Sequence, residues 1–340
     1  MPGQPESRRV ARLWILDYIR TLLAAVVVLG HVGLPIPEIA RSHAMARLIV
    51  NNLFNGPAAV IVFFVISGFC IHLPNIGKSR VDLLPYIARR EIRIGAPVLV
   101  ALLIMLLAKS KGSEPAELGV LWSLWCEEIY YLLYPGILWI RARRGWLLIW
   151  TGAIALFVAC RLTTHNDVSR SFISPGWGKT WMLGLPCWLV GCNLAEFVVS
   201  GGLGRVKPIS SLGIWSARIV ILVTSWVIGV SRFHLSMSNM DLLPAFGFIS
   251  VGWLLLELKR CEGREGSAPQ AFQASYSLYL CHPLVGPLLA VAALGSSRGL
   301  TYAGIAILTA GFYLGVERPL HSAARRVGSR IAARTAAQVG

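Results

Sequence analysis

The first long apolar stretch of the chain, Leu13 to Val32, contains three ionisable side chains, Asp17, Arg20 and His31. A charged side chain at the centre of a membrane costs about 2.5–3.5 kcal/mol on insertion scales, so such residues are candidates for function. Arg20 and His31 share a helix face at a separation of roughly 16 Å, and Asp17 can pair with Arg20 one turn away. The plainer interpretation is an orienting ion pair and an interfacial histidine.

Three arginines follow the second apolar stretch in the order Arg89-Arg90-x-x-Arg93. Guanidinium groups bind phosphate through paired hydrogen bonds, so this spacing suits a phosphate-bearing ligand. Contact with anionic lipid headgroups explains the same arginines equally well. Before them, Ser67-Gly68 lies inside the apolar stretch, where small residues permit the close approach of a helix or a ligand to the backbone.

Two later apolar stretches each carry a stripe of polar side chains on one helix face. The first stripe consists of Ser123, Glu127, Tyr131 and Tyr134. The second consists of Ser275, Tyr279 and His282. A carboxylate among hydroxyl groups is a poor lipid-facing surface, so these stripes should face a common water-filled interior. Single residues have plainer explanations, since His282 alone would form a hydrogen bond with a neighbouring helix. A further motif, Glu317-Arg318-Pro319, would end the last span with an ion pair.

The elements that must position these residues are transmembrane helices. Of the 340 residues, 55% are hydrophobic and only 14% are charged, whereas a soluble domain carries roughly a quarter charged residues. The apolar blocks are near or above the ~18–20 residues that cross a bilayer. The sequence therefore predicts an all-α polytopic membrane protein, a single domain over residues 1–340 with about ten helices. Their approximate cores are Leu13–Val32, Leu53–Leu73, Ile94–Ala108, Val120–Ile140, Trp146–Cys160, Trp181–Val199, Ile214–Val230, Leu242–Leu258, Ser275–Val291 and Tyr302–Val316.

The positive charges cluster in alternate loops, which is the positive-inside pattern. This arrangement predicts cytoplasmic termini with short basic tails, the second of them after Val316, and an even number of spans. The formal net charge of +16 is thereby explained without nucleic acid as a partner. The seven cysteines are scattered without a CxxC pair, so the sequence predicts neither a disulfide framework nor a metal site.

Taken together, these motifs resemble those of the acyltransferase-3 family of integral membrane proteins. The resemblance runs from Leu16 to Pro319 in the order of the family's motifs. The matching segments are Arg20 with ten residues before His31, Phe63-Phe64-x-x-Ser67-Gly68-Phe69, Arg89-Arg90-x-x-Arg93-Ile94, Trp122-Ser123-Leu124-x-x-Glu127-Glu128, Ser275-Tyr276-Ser277-Leu278-Tyr279-Leu280-x-His282 and Glu317-Arg318-Pro319. Each segment alone is weak, but six segments in one order are specific.

The resemblance implies an enzyme that transfers an acyl group, commonly acetyl, from a cytoplasmic acyl-CoA to a hydroxyl of a glycan or a lipid-linked oligosaccharide. His31 would be the general base, because imidazole is the side chain best suited to take up and release a proton near neutral pH. Asp17, Arg20 and Glu127 would complete the catalytic set. The implied donor-binding residues are Ser67, Gly68, Phe69, Arg89, Arg90 and Arg93. The implied acceptor-binding residues are Trp122, Ser123, Tyr131, Tyr279 and His282.

Two other functions remain open from the residues themselves. A transporter or flippase of a glycan or lipid would also have about ten helices and buried charges, although transporters often contain inverted repeats and none is visible here. A scaffold without catalytic activity would leave the polar stripes unexplained. The expected location is the bacterial inner membrane, with membrane lipids as neighbours.

Overall fold

The computed structural model describes residues 14–34, 44–108, 121–164, 171–235, 237–264, 268–291 and 297–339. Within these ranges every regular element is a helix, as predicted. The predicted N-terminal basic tail lies outside the described residues. The helices of the first half are α1 (Trp14–Val32), α2 (Ala44–Leu53), α3 (Gly56–His72), α4 (Leu83–Arg90), α5 (Ala96–Ala108), α6 (Trp122–Arg144) and α7 (Trp146–Thr163).

The second half continues the same architecture. Its helices are α8 (Thr180–Val199), α9 (Ser211–His234), α10 (Asn239–Arg260), α11 (Ser275–Cys281), α12 (Val285–Val291), α13 (Arg298–Phe312) and α14 (Arg318–Val339). In the part of the chain that the structure describes, two single π-helical turns interrupt longer helices. Glu91–Gly95 joins α4 to α5, and Tyr313–Glu317 joins α13 to α14.

Local sequence explains where several helices begin. Asn55 precedes α3, and its side-chain oxygen accepts a hydrogen bond from the backbone N–H of Ala58 at 3.2 Å, while proline follows at the first turn. Ser210, Ser238 and Ser297 cap α9, α10 and α13 in the same way. Such caps satisfy backbone donors that the first helical turn leaves without partners.

Among the described residues, eight helical segments are long and apolar enough to cross a membrane. They are Trp14–Val32, Leu48–Asn75, Leu83–Ala108, Trp146–Thr163, Thr180–Val199, Ser211–Arg232, Asn239–Arg260 and Arg298–Ile331. They coincide with eight of the ten predicted spans. The 23-residue α6 is also long enough, but it carries the Glu127-Glu128 pair and ends in arginines, which lowers its hydropathy.

The predicted single helix over Ser275–Val291 is wrong in detail. The helix α11 ends at Cys281, a 3₁₀ turn spans His282–Leu284, and α12 begins at Val285. Pro283 explains the break, because proline has no N–H to donate and its ring clashes with the preceding turn. The break leaves His282 at a bend in the chain.

The last span is longer than predicted. The residues after Val316, predicted only as a basic tail, continue as helix α14. This helix packs against α4 and against the π-turn Glu91–Gly95.

The centre of the bundle is α3, which is almost entirely buried and packs most extensively on α8. Glycines make this contact possible. A Cβ added to Gly68 would lie 1.9 Å from the carbonyl oxygen of Trp188, and one added to Gly191 would lie 2.0 Å from that of Val65. Small residues allow two membrane helices to approach at backbone distance. Large apolar side chains on the outer helices, such as Leu107 and Leu147, are exposed and suit a lipid environment.

Candidate active site

A cavity of about 460 Å³ lies among α1, α3, α6, α11 and the two π-turns. Ten of the predicted site residues contribute to its wall. These are Asp17, Arg20, Ser67, Phe69, Arg90, Arg93, Ser123, Glu127, Tyr131 and Tyr279. Polar residues from five separate segments therefore do meet in one interior space.

The middle of the cavity contains a hydrogen-bonded group on α3 and α6. The hydroxyls of Ser67 and Tyr131 are 3.0 Å apart, and the indole N–H of Trp188 donates to Ser67 at 3.3 Å. The carboxylate of Glu127 interacts with both hydroxyls. Its negative charge also attracts the guanidinium of Arg20. This part of the cavity can hold a polar group and balance the charge of Arg20.

At one end of the cavity, two arginines face the interior. The guanidinium carbon of Arg90 lies over the rings of Tyr86 and Tyr131, 5.9 and 5.6 Å from their centroids. Arg93 comes from the π-turn Glu91–Gly95. Neither Arg90 nor Arg93 makes a hydrogen bond or an ion pair with any residue in the described ranges, so both remain available to an anionic ligand. The positive-inside pattern predicts that this end is cytoplasmic.

Both π-turns direct ionic side chains into the cavity. Isolated π-turns insert an extra residue into a helix and are frequent at functional sites. Glu317 belongs to the second π-turn, is 1% exposed, and accepts hydrogen bonds from the backbone N–H of Ser277 at 3.1 Å and from its hydroxyl. The Nε2 atom of His321 lies 3.7 Å from Glu317.

This placement corrects the interpretation of Glu317-Arg318-Pro319. Glu317 points inward to the start of α11 and pairs with His321, whereas Arg318 is exposed on α14 and forms no ion pair with a described residue. Glu317 and His321 are therefore wall residues of the cavity that were not predicted from the sequence. The position of Glu317 in a motif at the end of an apolar span is a signal for the first, but no pattern indicates the second.

At the other end of the cavity, the wall is formed by hydroxyl groups of α6 and α11. The hydroxyls of Ser123 and Tyr279 are 2.6 Å apart. Beyond Tyr279 lies the buried ring of His282, whose Nδ1 is 2.7 Å from the backbone oxygen of Tyr279. The ring of His31 follows, with its centroid 5.1 Å from that of His282. A chain of polar groups thus leads from the cavity to His31.

The tautomers of both histidines follow from these contacts. A carbonyl oxygen can only accept, so Nδ1 of His282 must carry the hydrogen that it donates to Tyr279. Nδ1 of His31 likewise donates to the carbonyl of Val27 at 2.8 Å. In the neutral form, each ring therefore has its lone pair at Nε2. His31 is exposed, whereas Nε2 of His282 is buried and has no hydrogen-bond partner among the described residues.

Five predicted site residues lie outside the wall of the cavity that the described residues form: His31, Gly68, Arg89, Trp122 and His282. Gly68 faces the backbone of α8, so the approach that it permits is that of a helix. Arg89 lies against Gly328 of α14, where an added Cβ would be 1.9 Å from its Nε. Trp122 packs edge-on against Phe64, with ring centroids 6.0 Å apart. Within the described ranges, no group of three or more His, Cys, Asp or Glu residues could hold a metal ion.

Comparison with known proteins gives three matches. A family model described as an acyltransferase domain, that of the acyltransferase-3 group, matches residues 13–316. The chain is 29% identical over 320 residues to the exopolysaccharide production protein ExoZ of Rhizobium meliloti (strain 1021), covering 83% of this chain and 95% of that protein. It is 26% identical over 177 residues to Nodulation protein 10 of Rhizobium leguminosarum bv. viciae, covering 51% and 45% of the two chains. No solved structure gives a significant match.

Proposed function

Because the chain belongs to the acyltransferase-3 family, we propose that it transfers an acyl group, in the first instance acetyl, from cytoplasmic acyl-CoA to a hydroxyl of a glycan in the bacterial inner membrane. The name of ExoZ refers to exopolysaccharide production, which supports a polysaccharide or its lipid-linked precursor as the acceptor. The single observation that carries the proposal is one cavity with arginines at one end and a path of hydroxyls and imidazoles at the other.

The donor would bind at the end that contains Arg90 and Arg93. Neither guanidinium forms a hydrogen bond or an ion pair with a described residue, so its N–H groups are available. Paired N–H groups suit phosphate oxygens. The thioester would then extend along the wall past Ser67 and Phe69 toward Ser123. In the middle, Arg20 and Glu127 would set the electrostatic field and orient the substrates.

The acceptor would approach from the side of His31, which is exposed. The acceptor oxygen attacks the thioester carbonyl carbon, the C–S bond breaks, and CoA leaves. The proton of the hydroxyl passes to Nε2 of His31 and then to the thiolate, so the products are an ester and free CoA thiol. Nδ1 of His31 already donates a hydrogen bond to the carbonyl oxygen of Val27, so Nε2 is the nitrogen that accepts the proton.

The direct test uses the purified protein in lipid nanodiscs with radiolabelled acetyl-CoA and a set of surface glycans. Arg93→Gln should raise KM for acetyl-CoA about tenfold or more, since charged hydrogen bonds contribute about 1.5–3 kcal/mol. Arg143→Gln is the matched control, because Arg143 is an exposed arginine that lies over Trp139 at the end of α6, 4.2 Å from its ring centroid. An unchanged KM in Arg93→Gln would remove this arginine from the donor site.

A genetic experiment separates this function from that of a transporter. A strain without the gene should export a full-length polymer that lacks ester groups, as mass spectrometry of surface glycans would reveal. A transporter would instead leave lipid-linked precursor stalled inside the cell. Accumulated precursor together with normal acylation would contradict the proposed activity.

A further inference from the structure

The helix α14 carries five arginines and no acidic residue. Four of them have exposed side chains in the described part of the chain: Arg318, Arg325, Arg326 and Arg330. None of these four forms an ion pair with a described residue, and Arg326 bonds only to the backbone oxygen of Ser322 in its own helix. The surface therefore presents uncompensated positive charge, which favours an anionic partner.

One side of this helix adjoins the cavity. His321 contributes to the cavity wall, and Ala324 and Gly328 are buried against the neighbouring segments. At about 100° per residue, Arg318 and Arg325 project within roughly 60° of His321, at the edge of the packed face. Arg326 and Arg330 project about 140° and 180° away from His321. The four arginines thus divide into a pair near the cavity and a pair far from it.

The same helix is attached to the segment that carries the cavity arginines. It packs against α4 and the π-turn Glu91–Gly95, and Arg89 lies against the backbone at Gly328. The pair Arg318 and Arg325 therefore has a fixed position beside the end of the cavity that contains Arg90 and Arg93. Two separate groups of guanidinium ions, one inside the cavity and one at its margin, suit a ligand with phosphates at two positions.

We propose that Arg318 and Arg325 bind the ribose 3′-phosphate of the acyl-CoA donor, while Arg90 and Arg93 face its diphosphate. This assignment rests on the proposed function. Coenzyme A has this chemistry, because its nucleotide end carries a diphosphate on one side of the ribose and a phosphomonoester on the other. The cavity admits the narrow thioester arm, and the bulkier nucleotide remains at the margin, beside α14.

The test compares acetyl-CoA with acetyl-3′-dephospho-CoA, using the full-length protein in phosphatidylcholine nanodiscs. The wild type should prefer the 3′-phosphorylated donor by about fivefold in kcat/KM, the effect of an exposed charged contact. Arg325→Gln should lower this preference toward one. Arg330→Gln, which removes the same charge from the far side of the same helix, should keep it. If the two variants and the wild type all showed the same preference for acetyl-CoA over acetyl-3′-dephospho-CoA, the assignment would be overturned.

Two further measurements separate the possible failures. Binding of adenosine 3′,5′-bisphosphate, followed by calorimetry, does not require acyl transfer, and it should weaken in Arg325→Gln but not in Arg330→Gln. If neither donor is used and this binding is nevertheless lost in Arg325→Gln, the proposed activity fails while the phosphate site stands. Nanodiscs that contain phosphatidylglycerol test the lipid alternative, because an effect of Arg325→Gln that appears only there would assign the arginine to a lipid headgroup and overturn the inference.

Discussion

The imidazole rings of His31 and His282 have their centroids 5.1 Å apart, although they come from opposite ends of the chain. Each ring donates its Nδ1–H to a carbonyl of its own helical segment, so the basic nitrogen of both rings is Nε2. His31 is exposed and His282 is 5% exposed. One imidazole can therefore meet an acceptor directly, and the second lies between it and the hydroxyls of the cavity.

The general-base role of His31 gives the first prediction. His31→Gln should lower kcat for acyl transfer by about a hundredfold or more, since a positioned base contributes typically 10²–10⁴-fold. The KM for acetyl-CoA should change by no more than about a factor of two, because the ring lies outside the donor end of the cavity. Steady-state kinetics in nanodiscs would check both values. A variant with near-normal kcat would refute the role of the imidazole.

A second prediction distinguishes the roles of the two ring nitrogens of His282, Nδ1 and Nε2. Asparagine places an amide N–H near the position of Nδ1 and can keep the bond to Tyr279, whereas glutamine places its amide near the position of Nε2. If Nε2 serves the reaction, His282→Gln should retain clearly more activity than His282→Asn, by about tenfold. His282→Asn should be the more thermally stable of the two variants. The opposite order of activities would mean that His282 only supports the bend at Pro283.

The helices were predictable because a bilayer demands long apolar segments. The apolar blocks predict the eight segments that are long and apolar enough to cross a membrane. They also predict a span over Val120–Ile140, although the charged residues of α6 lower its hydropathy. Two features could not be read in this way. The break after Cys281 depends on how the chain packs around Pro283, and the continuation of the last span through Pro319 depends on its contacts with α4, which tertiary structure alone provides.

The site was predictable to the extent that helical periodicity fixes which side chains share a face. Asp17, Arg20, Glu127 and Tyr131 do line one cavity. Periodicity cannot distinguish a glycine that approaches a ligand from one that approaches a helix. The family resemblance implies the ligand for Gly68, whereas the structure places this glycine against α8. Periodicity also gives no account of the π-turns, whose extra residue changes the direction of Glu317 and Arg93.

Glu317 gives a third prediction, concerning stability. Glu317→Ala would leave the buried N–H and hydroxyl of Ser277 without a partner, and each such loss costs about 1–3 kcal/mol. Glu317→Gln keeps a carbonyl oxygen at this position and should cost clearly less. Thermal unfolding of the detergent-solubilised protein, monitored by size-exclusion chromatography, should rank wild type above Glu317→Gln and that variant above Glu317→Ala. Equal midpoints for the two variants would show that the bonds to Ser277 contribute little.

The contact between α3 and α8 gives the last prediction. Gly68→Ala would place a methyl group 1.9 Å from the carbonyl oxygen of Trp188, so the two central helices would have to separate. Overpacking of a core costs typically about 1–3 kcal/mol, and here the obstacle is backbone that cannot change rotamer. Gly252→Ala is the matched control, because no atom lies within 4 Å of the added methyl group. It should be neutral or stabilising by about 0.5–1 kcal/mol through helix propensity. If both alanine variants had the wild-type midpoint, the close approach of α3 and α8 would be refuted.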